Sequence, residues 1–186
     1  VIHWIGAGRS DFEAWLDGLG ARFLREVGLV EGQQVLDFGC GEGAYALPAA
    51  QVVGPTGTVV ALDKSAAALR QARRRAEERG LENIVFTHTA GGAETGLEDA
   101  SIDVVLLYDV IHSWYFPRGR QGLLREVRRV CTAEALVSVY PSHMDVEEAR
   151  RALEGAGFDL RRRQVTTLLH NGRLVRDTVL HFGVGS

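Results

Sequence analysis

The chain is poor in sulfur and in proline: of 186 residues, two are Cys, one is Met and four are Pro. Two cysteines, Cys40 and Cys131, cannot build a disulfide framework, and that scarcity points to a reducing, cytoplasmic setting. No apolar run approaches the ~18 to 20 residues of a membrane span, so no membrane association is expected. The opening Val-Ile-His-Trp has neither a basic region nor an apolar core and does not read as a signal peptide. There is no initiator Met, so the chain reads as trimmed or as a fragment. Neither sign of charge dominates. A net charge of −3 supplies no general attraction to nucleic acid or to an anionic membrane. H-x-x-x-H and C-x-x-C spacings and tight carboxylate groups are all missing, and no metal ligands are expected. Internal repeats, low-complexity tracts and a second domain are missing too. The length suits one domain with its own core, residues 1–186.

What is present is an alternation of helix and strand signals. Ser10-Asp-Phe-Glu13 is a capping box, and Phe12, Trp15, Leu16, Leu19, Phe23 and Val27 follow at helical spacing until Gly28. Gly18 and Gly20 weaken that helix by about 1 kcal/mol each relative to Ala, so packing must hold it. This segment, 1–28, reads as a helical cap on a core of 29–186. Strands are expected at Val35–Phe38, Thr58–Leu62, Ile84–Thr87, Val104–Tyr108 and Ala135–Tyr140. Helices are expected over Ala44–Val52, over Ser65–Arg79 with Ser65 as cap, around Leu123–Val130, and after Asp145 with Glu148 repeating the capping pattern. The end differs: Gln164–His170 and Arg173–Phe182 flank Asn171-Gly172, the strongest short-range hairpin signal. The order βαβαβ–βαβα implies a parallel sheet covered by helices on both faces, with an antiparallel pair added last.

Residues 35–43, Val-Leu-Asp-Phe-Gly-Cys-Gly-Glu-Gly, carry the chemistry. A strand that ends in glycines and feeds a helix lets backbone approach a ligand with no Cβ in the way. It also aims the unsatisfied N–H groups of the helix start at that ligand. This is how an α/β domain holds a nucleotide-like cofactor. A dinucleotide fingerprint requires G-x-G-x-x-G; here Gly39, Gly41 and Gly43 give G-x-G-x-G. Asp63, 20 positions beyond Gly43, would accept from ribose hydroxyls under either cofactor.

Several strings in register make the choice. Val35–Gly43 resembles motif I of class I S-adenosylmethionine-dependent methyltransferases, and Ala61-Leu-Asp63-Lys-Ser resembles their second motif. Ser101–His112 resembles the entry and body of their fourth strand, and Ala156-Gly-Phe158 the Ala-Gly-Phe before their last hairpin. The resemblance runs from about Gly28 to Phe182. It implies an α/β, Rossmann-like doubly wound sheet, mostly parallel, with an antiparallel C-terminal hairpin strand. It implies S-adenosyl-L-methionine as cofactor and methyl transfer; the near-neutral charge argues against nucleic acid acceptors, and a compact chain with an aromatic rim suits a small-molecule acceptor better than a protein surface. By the same resemblance, Gly39, Cys40 and Gly41 lie under the ribose and methionine part, Asp37 near its ammonium group, and Asp63 on the ribose hydroxyls. Lys64 packs over the adenine. Tyr108 and Asp109, at the end of the fourth strand, face the methionine part and the methyl group; Tyr45 adds an aromatic face for the sulfonium.

Two departures accompany the match. The family usually carries an acid on adenine after the third strand; here that position is Ala90, with no carboxylate before Glu94. Thr132-Ala-Glu134 replaces a common Pro-Gly-Gly-type turn. Bland readings cover much of the rest. Cys40 reads as small packing rather than a nucleophile, and the Arg70–Arg79 charge run as a solvated helix face. His112-Ser-Trp114-Tyr-Phe116 follows the fourth strand, where loops over an active site belong. Its aromatics suit a substrate wall, with His112 and, after the fifth strand, His143 as the candidates for general base. Two alternatives stay open: a cofactor-binding module without catalysis, and a nicotinamide-dependent oxidoreductase.

Overall fold

Alternation along the strands divides the apolar residues between two faces of one sheet. The computed structural model describes residues 10–112 and 119–185. In β1 (Gln34–Phe38), Val35 packs on one face while Leu36 and Phe38 pack on the other. In β4 (Ile102–Tyr108), Val104, Leu106 and Tyr108 share the first face, and Val105 and Leu107 the second. Both strands are buried on both sides, which their near-continuous apolar sequence requires. β2 (Thr58–Asp63), β3 (Ile84–His88) and β5 (Cys131–Tyr140) complete the parallel part.

The first face is covered by α1 (Asp11–Ala14), α2 (Gly20–Val27), α3 (Ala46–Val53) and α4 (Ala66–Glu78). The second is covered by α5 (Arg120–Val130) and α6 (Val146–Glu154). The caps read from the sequence are in place. Ser10 Oγ accepts from Glu13 N, Ser65 Oγ from Ala68 N, and Asp145 Oδ1 from the N–H groups of Glu147 and Glu148. Pro48 lies in the first turn of α3, where its missing N–H costs no helical bond.

The expected single N-terminal helix is interrupted. Between α1 and α2 the chain forms a π-type turn, Trp15–Leu19, with Gly18 at φ 143°. The break lets Trp15 turn inward, where its Nε1–H donates to the Ala44 carbonyl at 2.7 Å. Arg79 to Glu13 at 2.9 Å and Arg75 to Glu42 at 2.8 Å then tie α4 to this segment and to the glycine turn.

The hairpin is longer than its sequence signal. β6 (Phe158–His170) and β7 (Arg173–Val184) pair through the Asn171-Gly172 turn, both of whose residues have positive φ. β7 inserts antiparallel beside β5, so the seven strands run β3-β2-β1-β4-β5-β7-β6. The connections leave β1 toward β2 on one side, while β4 and β5 lie on the other. The crevice therefore opens at the carboxyl ends of β1 and β4, the switch point of such sheets. No helix among the described residues is long and apolar enough to cross a membrane.

Gly43 is a sharp test of this packing. Its φ is +86°, and a Cβ there would collide with Leu47 Cδ1 and stand 3.2 Å from Ala72 Cβ, where α3 and α4 close on the turn. Gly41 has φ +53° with open space around it. Gly43→Ala should destabilise by about 2–4 kcal/mol, backbone strain plus overpacking, and Gly41→Ala by about 1. Urea denaturation of both should show this order; equal midpoints would refute it.

Candidate cofactor and acceptor site

The turn after β1 is bound to β2 by its backbone. Gly39 N and Cys40 N both donate to the Leu62 carbonyl, at 2.7 and 3.0 Å. Asp63, at the end of β2, accepts from Gly41 N through Oδ2 at 2.8 Å and from Ser65 N through Oδ1 at 2.7 Å. One carboxylate thus joins the glycine turn to the start of α4. Each of its oxygens keeps a second lone pair for a ligand hydroxyl.

Asp37 lies one strand over and is just as buried, at 2% exposure. Its Oδ2 has no hydrogen-bond partner among the described residues. Burial, and then the charge of Asp63, raise its pKa from the usual 3.8 to about 7, against a backbone hydrogen bond from Ala46. A second carboxylate beside the first, with an orphaned oxygen, is an environment short of positive charge. The ammonium and sulfonium of the expected cofactor are groups that would relieve it, so the donors present fit that ligand.

Cys40 is buried in the same turn, its Sγ 3.7 Å from the Gly41 carbonyl. Burial and the neighbouring carboxylates push its thiol far above the ordinary range. A thiol held protonated is a packing group, not a nucleophile. Beyond β3, where the resemblance puts the adenine, the chain is anchored by Thr89 N to the Asp63 carbonyl at 3.0 Å. Ala90 and Lys64 are exposed there, and Gly91 lies against the Lys64 stem. Tyr108 is buried with its hydroxyl 2.7 Å from Ser138 Oγ, and its ring meets Tyr45 edge-on at 4.4 Å. Trp15 and Phe23 extend this aromatic layer, and Tyr45 donates to the Leu169 carbonyl at 2.6 Å.

Three segments meet at the carboxyl end of β4. Asp109 follows β4 with φ +60°, an uncommon conformation for a residue with a side chain. Its backbone N–H donates to the Tyr140 carbonyl at 3.0 Å, and Ser142 Oγ donates to its Oδ1. Three histidines converge on that carboxylate. His112 Nε2 is 3.6 Å and His143 Nε2 3.5 Å from Oδ1, while His170 Nδ1 is 3.7 Å from Oδ2. His112 is buried, and that burial lowers its pKa, with Asp109 pulling the other way. His143 is exposed on the rim.

Residues 29–162 match the sequence profile of a methyltransferase domain. The chain belongs to that methyltransferase family. It is similar to aklanonic acid methyltransferase DauC of Streptomyces sp. (strain C5), 40% identical over 105 residues, 51% of this chain and 47% of that protein. It is also similar to nocamycin O-methyltransferase of Saccharothrix syringae, 40% identical over 97 residues, 48% of this chain and 34% of that protein. The chain therefore spans about half or less of these relatives. In three dimensions it resembles a SAM-dependent methyltransferase from Aquifex aeolicus, with a TM-score of 0.72 at 23% identity over 89% of each chain. At that identity the likeness speaks for the fold, which agrees with the expected mostly parallel sheet and antiparallel end.

The methyltransferase fold gathers Asp37, Gly39, Cys40, Gly41 and Asp63 at one crevice and sets Asp109, His112 and His143 on its β4–β5 side. Trp114, Tyr115 and Phe116, with His3 and Trp4, lie outside the described residues. Sequence reasoning missed His170 and Ser142. The hairpin turn beside His170 was legible, but its nearness to Asp109 depends on β7 pairing with β5.

Asp37 makes the fold's stability pH-sensitive. Its folded pKa is above its unfolded one, so the folded state holds the proton more tightly. Stability should fall as pH rises from about 4 to 7 and then level off, by at most about 4 kcal/mol from this group. Asp37→Asn should flatten that slope in pH-dependent denaturation and stabilise the cofactor-free protein at pH 8. An unchanged slope would refute the assignment.

Proposed function

We propose that this protein transfers the methyl group of S-adenosyl-L-methionine to a small-molecule acceptor in the cytoplasm, and that residues 1–186 act as one methyltransferase domain. The observation that carries this reading is the pair of buried carboxylates at the glycine turn, Asp37 with an oxygen unpartnered among the described residues, in a chain of the methyltransferase family. When bound, the cofactor supplies an electrophilic methyl group on a cationic sulfur. Asp37 answers its ammonium, and Asp63 its ribose hydroxyls. The Gly39, Cys40 and Gly41 backbone lies beneath it, and Lys64 and Ala90 flank the adenine. Tyr108 and Asp109 stand on the methyl side.

Transfer itself needs in-line placement of the acceptor more than a dedicated acid or base. Where the acceptor is a hydroxyl or phenol, its proton goes to an imidazole, and His112 and His143 stand beside Asp109 for that role. The relatives named for aklanonic acid and for nocamycin O-methylation support a small organic acceptor. Two free, buried thiols suit a reducing cytoplasm.

A second reading, a cofactor-binding module without catalysis, draws on one observation: the adenine side offers Ala90 where the family usually has an acid. A nicotinamide-dependent oxidoreductase is disfavoured by the G-x-G-x-G spacing.

Calorimetry should show binding of S-adenosylmethionine and S-adenosylhomocysteine and none of NAD(P)H; the reverse pattern would sink the proposal. Asp63→Ala should weaken S-adenosylhomocysteine binding by about 1–3 kcal/mol through lost charge-assisted hydrogen bonds. Release of S-adenosylhomocysteine with hydroxylated aromatic acceptors separates the enzyme from the inert module.

A further inference from the structure

Asp109 ends β4, His143 lies in the loop between β5 and α6, and His170 ends β6 at the hairpin turn. All three stand at the carboxyl end of the parallel strands. Their ligating atoms lie within 4.8 Å of one another. We propose that Asp109, His143 and His170 form a binding site for one divalent transition-metal ion of the zinc class.

The spacing is the first argument. His143 Nε2 and His170 Nδ1 stand 3.5 and 3.7 Å from the Asp109 oxygens. That is beyond the ~2.7–3.2 Å of an N–H···O hydrogen bond. The two distances run to different Asp109 oxygens, and the ligand atoms spread over at most 4.8 Å, so a small inward shift brings one oxygen and two nitrogens to about 3.3–3.5 Å, the edge of a tetrahedron of ligands around zinc at ~2.0–2.1 Å. The groups are set to share a cation rather than to bond one another.

Chemistry selects the ion. Two imidazoles and a carboxylate suit zinc, cobalt or iron(II), and suit magnesium or calcium poorly, since those prefer oxygen ligands throughout. Three protein ligands leave a fourth position open, the arrangement of sites that bind water or a substrate oxygen or sulfur.

The surroundings hold the ligands in place. Ser142 donates to Asp109 Oδ1, and the positive φ of Asp109 fixes where its carboxylate points. The Asn171 amide lies 2.9 Å from Nε2, the other nitrogen of His170. As placed, that amide presents Nδ2 to Nε2; with a cation bound, a half-turn of the amide puts its oxygen there, so that Nε2–H donates and Nδ1 presents its lone pair to the cation. The His143 and His170 rings meet edge-on at 5.3 Å, and Tyr140 backs His170 at 5.6 Å. His112 stands outside this set of mutually close ligand atoms, 3.6 Å from Asp109 Oδ1. With a cation bound, His143 is committed as a ligand and His112 remains for proton transfer.

Cobalt(II) titration of the purified, chelator-treated chain tests this without any methylation assay. The expected result is one Co²⁺ per chain with the visible bands of a low-coordinate site, displaced by Zn²⁺ and untouched by excess Mg²⁺. His143→Ala and His170→Ala should each weaken uptake by about tenfold or more, and the surface change His88→Ala should leave it unaltered. Absence of saturable uptake, or uptake equal in all these variants, would overturn the site. His143 is exposed, so His143→Ala decides the matter even if the hairpin of His170→Ala is disturbed, as circular dichroism would reveal. S-adenosylhomocysteine binding on the same metal-free samples keeps the two proposals apart. Retained cofactor binding without metal uptake defeats this site alone; metal uptake without cofactor binding upholds it and defeats only the methyl-transfer reading.

Discussion

The acceptance by Asp63 of two backbone N–H groups, from Gly41 and from Ser65, is the contact on which the crevice is built. One bond draws the glycine turn against the end of β2; the other sets the first residue of the α4 cap. Through α4 the same joint reaches outward, since Arg75 and Arg79 carry ion pairs to Glu42 and Glu13. The turn, the helix start and the N-terminal segment are therefore positioned together. A carboxylate suits this joint because its oxygens accept several bonds at once and carry charge where N–H dipoles converge.

That joint has an electrostatic cost, and Asp37 bears it. Two carboxylates share a buried crevice, and one of them keeps an oxygen without a partner among the described residues. A neutral side chain there would suit the fold by itself better. Under the proposed function that charge becomes useful once a cationic ligand enters, because the same desolvation that raises the Asp37 pKa strengthens its attraction to an ammonium. Stability given up near a ligand and recovered on binding is the usual mark of a functional site.

Much of the architecture was legible along the chain. The caps at Ser10, Ser65 and Asp145 and the Asn171-Gly172 turn are local devices, and each forms as its sequence implies. Boundaries were less legible. Gly18 breaks the N-terminal helix because Trp15 gains a buried bond to the Ala44 carbonyl, a contact 29 residues away that no helical period contains. β6 begins at Phe158, well before its apolar alternation is visible, since pairing with β7 holds the exposed Arg161–Arg163 stretch extended. Within the site, Asp37, the three glycines and Asp63 were visible because they sit at fixed steps from two strand ends. His170 was not.

The sequence by itself determined the elements, their order and the glycine turn with its two acids, because capping, periodicity and turn chemistry act over a few residues. Tertiary structure alone decided that β7 would insert between β5 and β6 and bring the hairpin turn to the end of β4. It alone decided that Asp109, His112, His143 and His170 would share one corner. Those residues come from separate segments, and their meeting depends on strand pairing across the sheet, which local sequence does not encode.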